Sequence, residues 1–240
     1  MPTALDFIYL AALFLLVAVF DGLVFFPRFK KAVAAGVPHA RAKAYRRTTI
    51  GQWVFSAIVI VVWLIGGRSW RALGVVPPSD WRLYAGIAVL VLMIVFGLRQ
   101  SSAIAQIAQK SDDVALYRQR LGELEFLLPH NRREYRGFML LAVTAGICEE
   151  LLVRGYLMWV LRPYMNVGAA IALSAVAFGL GHAYQGKKGI LKTTAVGLVM
   201  NGIVLLTGWL IPAMVVHAII DANAGQLGFA VLKEPASTAA

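Results

Sequence analysis

Seven long, nearly uncharged runs constrain this chain more than any other feature. They cover residues 4–26, 50–65, 83–98, 137–161, 167–184, 189–207 and 210–232. At about 1.5 Å per residue, a helix of about 20 apolar residues crosses the roughly 30 Å hydrocarbon layer of a bilayer. Soluble cores rarely contain such runs. The chain is 60% hydrophobic and 15% charged, against about 45–50% and about 25% in soluble domains. The expected architecture is all-α: a polytopic membrane helix bundle of about seven transmembrane helices, with an amphipathic surface helix region. It forms one integral membrane domain with three parts. Residues 1–136 make an N-terminal three-span region with an amphipathic cytoplasmic segment, 137–232 a core of four spans, and 233–240 a disordered tail.

A net charge of +11 invites a nucleic-acid reading. Such binding needs a basic face on a folded soluble module, and here the basic residues lie in loops between apolar runs. Eighteen lie on one side of the seven-span arrangement, counting Lys192 at the start of the sixth run, and four on the other. By the positive-inside rule, the N-terminus lies outside and the C-terminus in the cytoplasm. The partners expected are the lipid bilayer and a membrane-associated protein or peptide, with no nucleic acid; oligomeric state is not legible. A single cysteine, Cys148, excludes an internal disulfide. The first run is longer than a signal h-region and lacks a basic flank, so it reads as a retained span, ended by Pro27. Asp21 near its inner end reads as structural. Residues 101–135 mix charges with apolar residues at roughly helical spacing, predicting one or two surface helices that either link the spans or dock substrate.

Ionisable groups at membrane depth are costly and normally face a protein interior or a wet cavity. Glu149, Glu150 and Arg154 sit inside the fourth run. Residues four apart share a helix face, so Glu150 and Arg154 can compensate each other. Glu149, one step round, is left a free carboxylate, suited to general acid/base work. The fifth run ends in Phe178-Gly179-Leu180-Gly181-His182, with Phe178 and His182 on one face and glycines that admit a close backbone. The seventh carries His217 and Asp221, again four apart, where Asp221 can hold a ring N–H and fix the tautomer, or share a ligand set.

Together these helices can activate a water, either on Zn²⁺ held by His182, His217 and Glu149 or with Glu149 as sole base. Periodicity leaves both open. HExxH is absent. Ser174 lies two turns before His182 without a GxSxG setting, and a buried apolar Cys148 is inert. Ion or proton transport would place polar groups along the whole path, yet the second and third runs are nearly free of ionisable residues.

The ordered set Glu149-Glu150-x-x-x-Arg154, Phe178-x-x-x-His182 and His217-x-x-x-Asp221 resembles the three motifs of the CPBP family, the CAAX prenyl endopeptidases and Abi-type proteins. The resemblance covers about 137–232. It implies an intramembrane endopeptidase with a polar cavity open to the cytoplasm, in which Glu149 activates water and His182 positions it. His217 and Asp221 form the oxyanion side, where the family has Asn or a similar residue, and Glu150, Arg154 and Phe178 support the site. A non-catalytic membrane scaffold or bacteriocin-immunity-type protein using the same cavity is the rival reading.

Overall fold

A computed structural model describes residues 1–233, with the side chains of residues 16–18 and 123 outside the description. Of the tail expected at 233–240, only Lys233 falls within the described residues. Among those residues all regular structure is helical. The helices are α1 (Ala4–Ala34), α2 (Ala40–Ile65), α3 (Trp81–Ile107), α4 (Ser111–Leu121), α5 (132–161), α6 (Val167–Gly181), α7 (Gly186–Thr207) and α8 (Leu210–Leu232). A 3₁₀ segment, Gly122–Leu127, follows α4, and a shorter one, Ala183–Gln185, precedes α7.

Local chemistry sets several of these ends. Asp80 accepts from the Arg82 N–H (3.0 Å) at the start of α3, Asn131 from Glu134 (3.0 Å) at α5, and Asn166 from Ala169 (2.9 Å) at α6. Each cap satisfies an orphan donor and stabilises its helix by about 1 kcal/mol. Gly208, at φ +61°, closes α7 in the left-handed conformation that a side chain resists.

Two expected boundaries move. Pro27 does not end the first helix. A π-helical stretch, Leu15–Phe25, ends just ahead of it, so Pro27 enters the first turn of a fresh α-segment where its missing N–H costs nothing. The second helix starts at Ala40, well inside the expected basic loop, because basic residues outside the bilayer propagate a helix as readily as apolar ones.

Among the described residues, five helical stretches are long and apolar enough to cross a membrane: α1, α2, α3, α7 with its leading turn, and α8. The chain is a multi-pass membrane protein. Seven such spans were expected. The two that differ are α5, which carries Glu149, Glu150 and Arg154 in its apolar stretch, and α6, which has 15 residues.

Helix α5 is the axis of the bundle. It packs most extensively on α8 and α2, while α6 pairs with α7 and α3 with α8. The main core joins Val59 and Trp63 of α2 to Leu151, Tyr156 and Val160 of α5 and Leu210 of α8. Gly146 permits the closest crossing: a Cβ there would meet the Met214 carbonyl oxygen at 2.7 Å and the Ala218 nitrogen at 2.9 Å. Outward side chains such as Leu92, Leu98 and Leu191 are exposed, on a scale a water-facing surface does not tolerate.

Polar ties fix the first helix to this axis. Arg68 donates to both oxygens of the buried Asp6 carboxylate (2.7 and 2.8 Å), and the Tyr156 hydroxyl of α5 donates to one of them (2.5 Å). Asp21 pairs with Arg47 at 3.1 Å, a structural partner for that carboxylate.

Candidate functional site

At the centre of α5, the i,i+4 spacing brings Arg154 onto Glu150. Nη1 donates to Oε1 at 2.9 Å, with both side chains fully enclosed. The guanidinium also donates to the Gly197 carbonyl (3.3 Å) and lies 4.1 Å from the Phe178 ring centroid. Two charges buried this deeply hold only where each has partners. Here α5, α6 and α7 supply them.

Glu150 has a second duty. Its Oε1 also faces His217 Nδ1 at 2.8 Å. A carboxylate only accepts, so Nδ1 carries a proton towards Glu150, and Nε2 is turned towards Glu149. The residue expected to fix this tautomer, Asp221, stands instead 3.6 Å from Nε2 at the more exposed edge of the site. Helix α8 thus anchors its histidine on α5 rather than on its own next turn, because the ring's inner nitrogen points across the helix crossing.

His182 is held in the same sense. It caps the end of α6, and its Nδ1 lies 2.9 Å from the Phe178 carbonyl oxygen, which can only accept. Its Nε2 therefore also faces Glu149. The Phe178 ring wedges both imidazoles, tilted against His182 at 4.7 Å and edge-on to His217 at 5.9 Å. Gly179 lets α7 approach, since a Cβ there would collide with Thr194 and meet the Ile190 carbonyl at 2.9 Å.

The two nitrogens converge on one atom. Glu149 Oε2 stands 3.9 Å from His182 Nε2 and 3.9 Å from His217 Nε2, and it is buried without a hydrogen-bond partner. The sequence predicts a free carboxylate, but the other oxygen is held: Gln52 of α2 donates to Oε1 at 2.6 Å. Gln52 is the residue that motif spacing misses. Its signal is modest, an amide within the otherwise apolar second run.

Two cavities meet at this carboxylate, of about 340 and 390 Å³, a size suited to a ligand segment. The first lies beneath Leu121–Leu128 and is bounded by Phe29, Tyr45 and Phe138. The second lies between α1, α2 and α6, with Leu13, Phe55 and Ala177 in its wall. Glu149, Gln52, His182 and Tyr184 line both, and Tyr184 stacks on Phe26 of α1 with centroids 3.8 Å apart.

The structure thus gathers Glu149, Glu150, Arg154, Phe178, His182 and His217, with Asp221 at the rim. Ser174 is buried and accepts from Asn201 (3.4 Å). Cys148 is a buried thiol. One carboxylate and two imidazoles are donor types that suit zinc. Among the described residues, however, no three His, Cys, Asp or Glu side chains are arranged to hold a metal ion.

Residues 133–223 match the family described as Type II CAAX prenyl endopeptidase Rce1-like. Comparison with curated proteins and with solved structures gives no match. The matched span begins at the second residue of α5 and ends just past Asp221, so it takes in all three motifs and bears out the resemblance drawn from them. Helices α1 to α4, and Gln52 with them, lie outside it.

Proposed function

With the Rce1-like match as premise, we propose that the chain is an intramembrane endopeptidase of the CAAX-protease type, hydrolysing a peptide bond in a membrane-associated protein or peptide. The observation that carries this reading is the buried, unpartnered Oε2 of Glu149 facing two imidazole nitrogens at 3.9 Å. That gap is too wide for a direct hydrogen bond and suits a bridging water.

The water gives one hydrogen to Glu149 Oε2 and the other to His182 Nε2, whose lone pair faces it because Nδ1 holds the ring proton. The remaining lone pairs point into the cavities. As the water oxygen bonds to the substrate carbonyl carbon, Glu149 takes its proton. The oxyanion is met by Nε2–H of a doubly protonated His217, steadied by Glu150 on one ring nitrogen and Asp221 near the other. The C–N bond then breaks, and Glu149 delivers the proton to the leaving amine. The products are a new carboxylic acid and a new amine; the acid's remaining proton passes to the released amine, leaving a carboxylate and an ammonium, and no step calls on a metal ion.

We place this chemistry in residues 137–232 as catalytic core, with 1–136 closing the cavities from the other side. Helices α5 and α6 also cross the bilayer, making seven spans. Internal pairing of Glu150 with Arg154 offsets the cost of charge on α5. The N-terminus then lies outside, the C-terminus in the cytoplasm, and the site opens to the cytoplasm, where the basic loops gather.

The test compares the termini of membrane proteins in cells carrying wild type or Glu149→Gln at equal expression. New termini found only with wild type support proteolysis and name the substrate. Identical termini, with the wild-type phenotype intact in the variant, favour the non-catalytic scaffold or immunity-type protein.

A further inference from the structure

We infer that Gln52, outside the matched residues, positions the base through its amide nitrogen and takes a substrate backbone N–H on its amide oxygen. The inference rests on the proteolytic reading above. Its first support is the 2.6 Å bond from Nε2 to Glu149 Oε1, a charge-assisted hydrogen bond of the strong class. A carboxylate can turn about its last bond. Pinning Oε1 settles which oxygen faces the imidazoles, and Oε2 is the one left to the water.

The donor is itself held. On the next residue, Trp53 Nε1 donates to Thr144 Oγ1 of α5 at 3.3 Å. One turn on, the Tyr9 hydroxyl of α1 donates to the Phe55 carbonyl at 2.7 Å. Helix α2 is therefore docked on both neighbours around the amide, so the Gln52 backbone keeps its place when the cavities fill.

The second support is the other end of the amide. Gln52 Oε1 is buried with no partner, in the wall common to both cavities. A side chain kept only for packing would have both ends satisfied or be apolar. This oxygen is an acceptor standing beside the scissile position, and a peptide chain crossing from one cavity to the other brings backbone N–H groups past it.

The test uses purified full-length protein and a quenched-fluorescent peptide built on the cleavage site found by the terminus comparison. Gln52→Met keeps the volume and removes both polar ends. It lowers kcat about ten- to hundredfold, the cost of one hydrogen bond to a charged group, and raises KM. Gln52→Glu keeps an acceptor but sets a carboxylate against Glu149, so kcat falls while KM stays within about twofold of wild type. A packing role predicts that the methionine variant is as active as wild type. Wild-type kcat in a Gln52→Met protein that melts with wild type overturns the inference. Should that variant melt early, wild-type kcat in Gln52→Glu overturns it instead. A wild-type protein that produces no new termini brings down the proteolytic reading, and this inference with it.

Discussion

Replacing Arg154 with methionine separates what the buried charge pair does for the fold from what it does for the site. The substitution keeps much of the side-chain volume and leaves Glu150 enclosed without its guanidinium. Breaking a buried pair by removing one partner costs about 3–5 kcal/mol. His217 Nδ1–H still reaches Glu150 Oε1 at 2.8 Å, which places the loss at the lower end of that range. The lost contact over Phe178, 4.1 Å from its centroid, adds roughly 1 kcal/mol. The Gly197 carbonyl is not orphaned, because Asn201 still donates to it at 3.0 Å. The total is about 4 kcal/mol. At roughly 2–4 °C per kcal/mol for a chain of this size, the melting temperature falls by about 8–16 °C. Adding Glu150→Met removes the stranded charge and restores most of that stability. Cleavage is lost in the double variant, because without Glu150 the His217 Nδ1–H has no acceptor to hold the ring in place. Differential scanning fluorimetry in detergent reads the first quantity, and the appearance of new termini reads the second. An Arg154→Met protein that melts within about 2 °C of wild type would refute the reasoning. So would a double variant no more stable than the single.

Three further outcomes follow from named contacts. Gly146→Ala drives a methyl group against the Met214 carbonyl and the Ala218 nitrogen; neither is a flexible side-chain end, so stability falls by about 1–3 kcal/mol, and an unchanged melting temperature would show that the α5–α8 crossing yields. His130, in the loop before α5, is held below the ordinary imidazole value by burial and then by the nearby Arg41 charge. Its neutral form is favoured in the fold, so that stability is present above about pH 6.5 and is lost as pH falls below it; a melting-temperature series from pH 7.5 to 5.5 shows this decline, and His130→Gln flattens it. Finally, a strong zinc chelator leaves the rate of terminus formation unchanged if Glu149 alone activates the water, whereas loss of cleavage restored by added zinc would put a metal in the site.

Much of the bundle was legible because bilayer thickness imposes a length on apolar runs. The last helix, 210–232, runs between the residues the pattern predicts. The ends that moved did so for local reasons. Pro27 is tolerated because a π-stretch precedes it, and the helix at Ala40 starts early because length in water is not limited by apolarity. The surface region expected at 101–135 proved shorter: α3 continues to Ile107, leaving one α-helix and a 3₁₀ segment that roofs the first cavity.

The sequence by itself determined that this is a multi-pass helical membrane protein, which ionisable side chains lie within its apolar helices, and that Glu150 and Arg154 pair. Helical periodicity is a local rule, and partners four residues apart are written into it. Only the tertiary structure decided what crosses between helices. Glu150, 67 residues away in the chain, holds His217 in place of its neighbour Asp221, and Gln52, 97 residues away, holds Glu149. Those partnerships depend on how far α2 and α8 slide and turn against α5. That register is set by Gly146 and by packing around Trp63 and Tyr156, which no spacing within one helix records.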